Sequence, residues 1–131
     1  MKKILVADVP QMDERYSAAF TGWEVAFART LAQAHQALDA GSCAVVVTGV
    51  YFDDSRMFDL LRHLQASGQD LGCAVICMRS QHFVSPAITI EGLEIAAKAL
   101  GCNVFLDLTW YADDATGNGA IRSLLEALLK P

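Results

Sequence analysis

Short apolar runs recur along the chain, and longer stretches with helical periodicity lie between them. The runs occupy positions 4–7, 45–47, 74–78 and 104–106, and polar or turn residues bound each one. A further segment at 24–27 has the composition of a shorter strand. Uninterrupted apolar runs of this length are typical of strands that are buried on both faces of a parallel sheet. The pattern therefore predicts five strands.

The stretches between these runs predict helices. In four of them, apolar residues recur at the spacing of one helical face: Leu31, Ala34 and Leu38; Phe58, Leu60, Leu61 and Leu64; Leu93, Ala96, Ala97 and Leu100; and Ile121, Leu124, Leu125 and Leu128. Gly41 and Gly101 follow two of these helices, where a left-handed cap favours glycine. The alternation predicts a doubly wound α/β fold, whose ligand chemistry lies at the carboxyl ends of the strands.

The first helix has less room than the others. Only residues 10–20 are available to it, which at about 1.5 Å per residue allows two or three turns. Pro10 suits the first turn of a helix, and Gly22 ends the segment early. We expect the neighbouring face of the sheet to be less covered, or to be covered by a partner.

Composition and charge narrow the class of protein. The chain has 131 residues, 53% of them hydrophobic, which suits one globular domain over residues 1–131. No stretch approaches the roughly 18 uninterrupted apolar residues of a membrane span, and no signal-peptide cleavage site follows residues 1–7. We expect a cytoplasmic protein that does not bind membranes. The net charge of -5 argues against direct nucleic-acid binding, which draws on clustered Lys and Arg.

Several segments, in their order and spacing, resemble the response-regulator receiver domain. They are residues 3–8 (KILVAD), 22–25 (GWEV), 58–61 (FDLL), 74–78 (AVICM) and 99–106 (ALGCNVFL). The resemblance covers nearly the whole chain. It implies a flavodoxin-like five-stranded parallel sheet of order 2-1-3-4-5 in a three-layer α/β/α sandwich, with a role in two-component signalling or a phosphorelay.

The first half of the family's phosphorylation site is mostly replaced in this chain. By resemblance, one acidic residue of the metal-binding pair falls on Asp8, but Val9 stands where its acidic neighbour is expected. The phosphoacceptor aspartate falls on Gly49, or on Thr48 if the register slips by one. Neither residue can form an acyl phosphate.

The second half departs from the pattern in the same way. The switch Ser or Thr falls on Arg79, and the lysine of the fifth strand falls on Leu108, with Thr109 in place of the following proline. Phe105 fits the position of the switch aromatic residue. Phosphotransfer needs clustered carboxylates for Mg²⁺, a nucleophilic carboxylate, and a lysine with a hydroxyl. The resemblance therefore implies a pseudo-receiver, that is, a receiver fold without the phosphorylation chemistry. We expect such a protein not to be an enzyme, to have no cofactor and to bind Mg²⁺ poorly.

Asp53 and Asp54 are the candidates for a displaced acceptor. They follow Gly49 by four and five residues and precede the third helix, where acidic residues favour a helix N-terminus. We interpret them as residues of the loop at the entry to this helix. The alternative is that the loop folds back and offers a carboxylate to a cation together with Asp8.

Arg79 is expected at the carboxyl end of the fourth strand, near the ends of the strands that carry Asp8 and Asp107. A fixed guanidinium could replace the charge of a metal and a phosphate. One hypothesis is that an Arg79 to Asp8 ion pair holds this end of the sheet in one permanent state. The alternative is an exposed arginine whose ion pairing contributes little.

Cysteines and histidines give no recognisable motif. Cys43, Cys73, Cys77 and Cys102 lack the CxxC spacing, so we interpret them as small buried hydrophobes rather than as metal ligands or a redox pair. His35, His63 and His82 share no spacing and are expected on the surface or half buried.

The function that these residues favour is a receiver-like signal-transduction module that acts by phosphorylation-independent protein–protein interaction. Receivers generally use the face of the fourth helix, fifth strand and fifth helix, so we expect a protein partner or a homodimer there. Two alternatives remain: an active receiver with a displaced acceptor at Asp53 or Asp54, and a small-ligand-binding flavodoxin-like domain.

Overall fold

A computed structural model describes residues 3–41, 43–71, 73–80 and 89–129. Its five strands are β1 (Lys3–Ala7), β2 (Glu24–Ala28), β3 (Cys43–Gly49), β4 (Ala74–Arg79) and β5 (Val104–Asp107). They form one sheet in the order β2-β1-β3-β4-β5, and every neighbouring pair is parallel. The predicted fold class and strand order are therefore confirmed.

Among the described residues, four helices connect the strands and a fifth follows the last strand. They are α1 (Asp13–Ala19), α2 (Leu31–Asp39), α3 (Met57–Leu71), α4 (Ile90–Ala99) and α5 (Ala115–Leu128). Short 3-10 turns at Pro10–Met12 and Leu108–Trp110 precede α1 and follow β5, and a four-residue turn at Phe52–Ser55 precedes α3. No helix among the described residues is long and apolar enough to cross a membrane.

The strands supply apolar side chains to both faces of the sheet in alternation, which makes three layers. Leu5, Val46 and Cys77 pack with α2, α3 and α4 on one face. Ile4, Val47 and Ile76 pack with α1 and α5 on the other face. This two-sided burial explains why the strands are continuous apolar runs rather than alternating ones.

Side-chain caps and glycines fix the ends of several helices. Thr30 and Thr89 accept hydrogen bonds from backbone N–H groups in the first turns of α2 and α4, at 3.1 and 3.0 Å. Gly41 and Gly101 have φ of 82° and 96°, as expected for the left-handed caps that follow α2 and α4. Helix α1 has seven residues, so the prediction of a short first helix is confirmed.

Candidate functional site

The residues at the positions of the family's phosphorylation site lie at the carboxyl edge of the sheet. Asp8 directly follows β1, Gly49 ends β3, and Arg79 and Asp107 end β4 and β5. Strand β1 pairs with β3, and Ala7 is in register with Thr48. Asp8 and Gly49 are consequently neighbours across two central strands.

The carboxylate of Asp8 fills the space that a side chain at position 49 would need. A β-carbon placed on Gly49 would lie 2.0 Å from Asp8 Oδ1 and 2.3 Å from Asp8 Oδ2. Both distances are far inside van der Waals contact, so this packing requires glycine. The position that resembles a phosphoacceptor therefore lacks its carboxylate, and a neighbouring carboxylate occupies the place.

Two hydrogen bonds hold the Asp8 carboxylate there. The Tyr16 hydroxyl donates to Oδ2 at 2.5 Å, and the backbone N–H of Val9 donates to Oδ1 at 2.7 Å. Asp8 and Tyr16 are 3% and 1% exposed. Tyr16 lies on α1, so this bond joins the first helix to the centre of the site.

Burial decides the protonation behaviour of this pair. It raises the pKa of Asp8 to about 6, against the lowering effects of the Tyr16 and Val9 hydrogen bonds and of the Arg29 charge. Burial, together with the charge of Asp8, also raises the pKa of the Tyr16 hydroxyl well above its usual value. At neutral pH the site therefore holds a buried carboxylate beside a neutral phenol.

Arg29 supplies positive charge at this edge of the sheet. Its Nη1 donates to the backbone oxygen of Asp8 at 3.2 Å, and its Nη2 forms an ion pair with Asp13. The guanidinium also lies over the Phe27 ring, 5.2 Å from its centroid. Arg29 is thus held by Asp8, which follows β1, and by Asp13, the first residue of α1, and it lies beside the Asp8 carboxylate.

Arg79 forms its ion pair with Asp107 and not with Asp8. The Arg79 Nη1 to Asp107 Oδ2 distance is 3.0 Å, and the two residues are in register across β4 and β5. Because β3 lies between β4 and β1, Asp8 is one strand too far away. The hypothesis of an Arg79 to Asp8 pair is therefore wrong in its acidic partner.

Asp107 has further donors that keep it ionised. The backbone N–H and the hydroxyl of Thr109 donate to its Oδ1 at 3.0 and 2.6 Å. Burial opposes ionisation, but the Thr109 hydrogen bonds and the Arg79 guanidinium together lower the pKa of Asp107. The lysine-equivalent Leu108 is 1% exposed and packs in the apolar layer with α1 and α5, whereas Phe105 is half buried on the other face.

The loop after β3 crosses this edge in an unusual conformation. Asp53, Asp54 and Ser55 have φ of 46°, 56° and 65°, in the left-handed region that non-glycine residues rarely adopt. Asp53 Oδ2 accepts a hydrogen bond of 2.8 Å from the N–H of Leu31, the first residue of α2. Asp53 and Asp54 therefore lie in the short turn at the entry to α3, which begins at Met57, but Asp53 accepts its hydrogen bond from the first turn of α2 and not from α3.

The folded-back loop closes one side of a cavity of about 340 Å³. Its lining includes Asp8, Arg29, Tyr51, Asp53 and Asp54. The loop thus lies beside Asp8, and the alternative that it offers a carboxylate to a cation there stays a prediction. However, both Asp8 oxygens accept protein hydrogen bonds, and Arg29 lies beside them.

The described residues do not fit the Mg²⁺ that receiver domains use. They contain no group of three or more His, Cys, Asp or Glu residues that could hold a metal ion. Each Asp8 oxygen already accepts one hydrogen bond, and the Arg29 guanidinium beside Asp8 adds a positive charge that disfavours a second cation. No chemical step at this site is assigned to a metal.

Sequence reasoning missed the contributions of Tyr16 and Arg29 and a contact between two histidines. The rings of His35 and His63 stack with centroids 3.7 Å apart, on α2 and α3. Burial, and then the neighbouring His63, lower the pKa of His35. His82 lies outside the described residues. All four cysteines are free thiols, with Cys77 and Cys102 buried and Cys43 and Cys73 half buried.

No protein-family profile matches this chain, and no curated protein matches it. Solved structures do. A two-component response regulator from Clostridium difficile has a TM-score of 0.75 and 13% identity, covering 98% of this chain and 96% of its own. The chemotaxis protein CheY4 of Vibrio cholerae has a TM-score of 0.73 and 17% identity, covering 98% and 99%. A response-regulator receiver domain protein from Clostridium thermocellum has a TM-score of 0.68 and 19% identity, and the match covers 98% of this chain and 100% of that protein.

The chain therefore has the fold of response-regulator receiver domains over nearly its whole length. At identities of 13% to 19%, the likeness bears on the fold alone. What the site does must be argued from its own residues.

Proposed function

We propose that this chain is a receiver-like signal-transduction module that acts by phosphorylation-independent protein–protein interaction. The observation that carries the proposal is the Asp8 carboxylate in the space beside Gly49. A receiver switches when an aspartate on the third strand is phosphorylated; here that strand ends in glycine. The module is proposed as a single receiver-like domain over residues 1–131, without enzymatic activity and acting in the cytoplasm.

The negative charge of the Asp8 carboxylate is the physical reason to expect that the carboxyl edge of the sheet keeps one conformation. The Asp8 carboxylate stands where an acceptor side chain would begin, and Tyr16 and Val9 hold it. At the neighbouring strands, the Arg79 to Asp107 pair links the ends of β4 and β5. Protein side chains thus supply the charge pairing that a metal and a phosphoryl group would otherwise supply.

The displaced-acceptor alternative has less support. Asp53 caps α2 through the Leu31 N–H, and a phosphoryl group on that oxygen would remove the cap. Asp54 is exposed. A phosphoryl group on Asp54 would need stabilising cations, whereas the nearby Arg29 is engaged with Asp13 and with the Asp8 carbonyl.

The proposed interaction surface lies on the side of α4, β5 and α5. Two large apolar side chains are exposed there: Ile95 on α4 at 64%, and Trp110 in the 3-10 turn that follows β5 at 83%. Exposed tryptophans contribute strongly to protein–protein interfaces when a partner covers them. The partner is proposed to be another protein or a second copy of this chain.

Self-association provides a direct test of this surface. We expect sedimentation analysis over a concentration series to show a dimer whose population is unchanged by Mg²⁺ and acetyl phosphate. Trp110→Ser should weaken the dimer by about thirtyfold or more, which corresponds to the threshold of about 2 kcal/mol for an interface hot spot. Gln36→Ser, at an exposed residue of α2 and so outside this surface, is the control. A chain that stays monomeric throughout would exclude the homodimer, and a phosphodonor-dependent dimer would contradict the proposed mechanism.

A further inference from the structure

Helices α2 and α3 contact each other through two histidine rings. The rings of His35 on α2 and His63 on α3 lie with their centroids 3.7 Å apart and their planes 19° from parallel. Both residues are half buried, and the Nε2 atom of His35 is buried without a hydrogen-bond partner among the described residues. The contact therefore depends on ring packing rather than on a hydrogen bond at this nitrogen.

This stack is not arranged as a metal site. The nitrogen lone pairs of an imidazole lie in the plane of its ring, so two nearly parallel rings do not direct their nitrogens at one ion. The described residues also contain no group of three or more His, Cys, Asp or Glu that could hold a metal ion. The chemistry that remains to the pair is the uptake of protons, for which histidine is suited near neutral pH.

Two stacked imidazole rings accept one proton much more readily than two. A single imidazolium lies against a neutral ring, whereas two imidazolium rings place like charges about 4 Å apart. Even with the full screening of water, repulsion at that distance corresponds to roughly a fivefold change in an equilibrium constant. The second proton is therefore taken up at the expense of the contact between α2 and α3.

The charged groups around the pair do little to offset a second proton. Burial and then His63 lower the pKa of His35, and Asp39 on the same helix opposes them only in part. On α3, the neighbouring Asp59 and Arg62 pair with each other at 3.1 Å and are mostly exposed. The strand residues in the apolar layer that contains α2 carry no charge: Leu5, Ala7, Ala26 and Ala28. The surroundings therefore favour a state in which at least one ring is neutral.

Helices α2 and α3 are also linked at the cavity beside Asp8. Asp53, a charged residue of the turn before α3, accepts a hydrogen bond of 2.8 Å from the N–H of Leu31. Leu31 begins α2 and lies about one turn, or about 6 Å, before His35. The same turn lines the cavity that contains Asp8. A separation of α2 from α3 at the histidines would therefore weaken the hydrogen bond to Asp53.

We propose that the stack of His35 and His63 is an acid-sensitive contact that sets the position of α2 against α3. With at most one ring protonated, the stack holds the two helices together. When both rings are protonated, the helices separate and the hydrogen bond from Leu31 to Asp53 weakens. This device needs neither a phosphoryl group nor the surface around Trp110, so it stands apart from the proposed function.

NMR of the histidine ring protons between about pH 4.5 and about pH 8 measures the protonation of the pair directly. We expect His35 to titrate below the usual range of histidine. His63→Phe keeps an aromatic ring in the stack and removes its charge, so the pKa of His35 should rise in this variant. His63→Gln should raise it as well, and it serves if phenylalanine does not pack there. Gln65→Ala, at an exposed position of α3, should leave it unchanged.

Stability measurements test whether the second proton opposes the helix contact. Because the pKa of His35 is lowered in the folded state, its contribution to stability is complete above the unfolded value of 6.5 and is lost as the pH falls through the lower folded-state value. Asp8 titrates in the opposite sense, so all variants are compared in an Asp8→Asn background. Between about pH 7.5 and about pH 5, the unfolding equilibrium constant should rise roughly fivefold more in this background than with His63→Phe added.

The amide signal of Leu31 reports the effect at the cavity. In the Asp8→Asn background it should shift in step with the protonation of the histidine pair, and this step should disappear with His63→Phe. The proposal is overturned if His35 titrates in both His63 variants as it does in Gln65→Ala. It is also overturned if acid destabilises the background and His63→Phe equally, or if the Leu31 signal does not follow the protonation of the pair.

Discussion

Gly49→Ala is expected to lower the free energy of unfolding by about 3 kcal/mol, the upper part of the usual range for overpacking a buried site. The added β-carbon would lie 2.0 Å from Asp8 Oδ1, so the Asp8 side chain or the strand must move. Moving the carboxylate breaks its bonds to Tyr16 and Val9 in a site that is almost fully buried. Urea denaturation measures the change.

A matched glycine separates this clash from the general effect of adding a methyl group. A β-carbon on Gly119 in α5 would meet nothing within 4 Å. Gly119→Ala should therefore be neutral or stabilise the chain by about 0.5–1 kcal/mol through helix propensity. If Gly49→Ala were equally harmless, the Asp8 carboxylate would not occupy the place that the structure gives it.

The double variant identifies the colliding group. Asp8→Ala removes the carboxylate, so Gly49→Ala should cost less in that background than in the unmodified chain. We expect a coupling free energy of about 2 kcal/mol between the two positions. Additive costs would mean that the alanine at position 49 collides with something other than Asp8. By the same logic, Gly49→Asp alone should destabilise the chain rather than create a working acceptor.

Asp8→Asn is expected to stabilise the protein increasingly as the pH rises. Burial raises the pKa of Asp8 from 3.8 to about 6 in the folded state. Because the pKa of Asp8 is higher in the folded state, the bound proton stabilises the fold. This stabilisation is complete at pH values below the unfolded-state pKa of 3.8 and is lost as the pH rises through about 6. The shift of about two units corresponds to roughly 3 kcal/mol.

Asparagine keeps the geometry while removing the titration. Its Oδ1 can accept from the Val9 N–H, and its Nδ2 can donate to the Tyr16 hydroxyl oxygen. The variant should match the unmodified chain at about pH 4 and exceed its stability by up to roughly 3 kcal/mol at about pH 8. Denaturation curves at several pH values, with the exposed Asp54→Asn as control, measure the difference. A gap between Asp8→Asn and the unmodified chain that does not change with pH would contradict the raised pKa.

The fold was predictable because its strands are buried on both faces. Continuous apolar runs such as Val45–Val47 and helical stripes such as that of Leu31, Ala34 and Leu38 come directly from that architecture, and the structure has both. Pro10 and Gly22 similarly limited α1 to a short helix. These features depend on local spacing, which a single sequence contains.

For the site, the sequence predicted which residues of the phosphorylation site are replaced, but not how the side chains that remain are arranged. The sequence shows that glycine stands at position 49, but the placement of the Asp8 carboxylate beside it depends on side-chain direction across β1 and β3. The partner of Arg79, in contrast, follows from the predicted strand order 2-1-3-4-5, which places β5 and not β1 beside β4 and therefore favours Asp107 over Asp8.

Two other features depend on backbone conformation and on contacts between helices. The left-handed residues Asp53 and Asp54 carry the loop back to α2, although no glycine marks that loop. Tyr16 reaches Asp8 from α1, and the stacked pair of His35 and His63 joins α2 to α3. Nothing in the spacing of these residues along the chain identifies these contacts.

The intact mass of the chain after incubation with Mg²⁺ and acetyl phosphate shows whether the proposed module can be phosphorylated at all. We expect an unchanged mass while circular dichroism shows the fold intact. A phosphoryl adduct of about 80 Da, the mass that one phosphate adds in place of a proton, would mean that the chain is phosphorylated after all. Mutation of Asp8, Asp53 and Asp54 would then locate the acceptor.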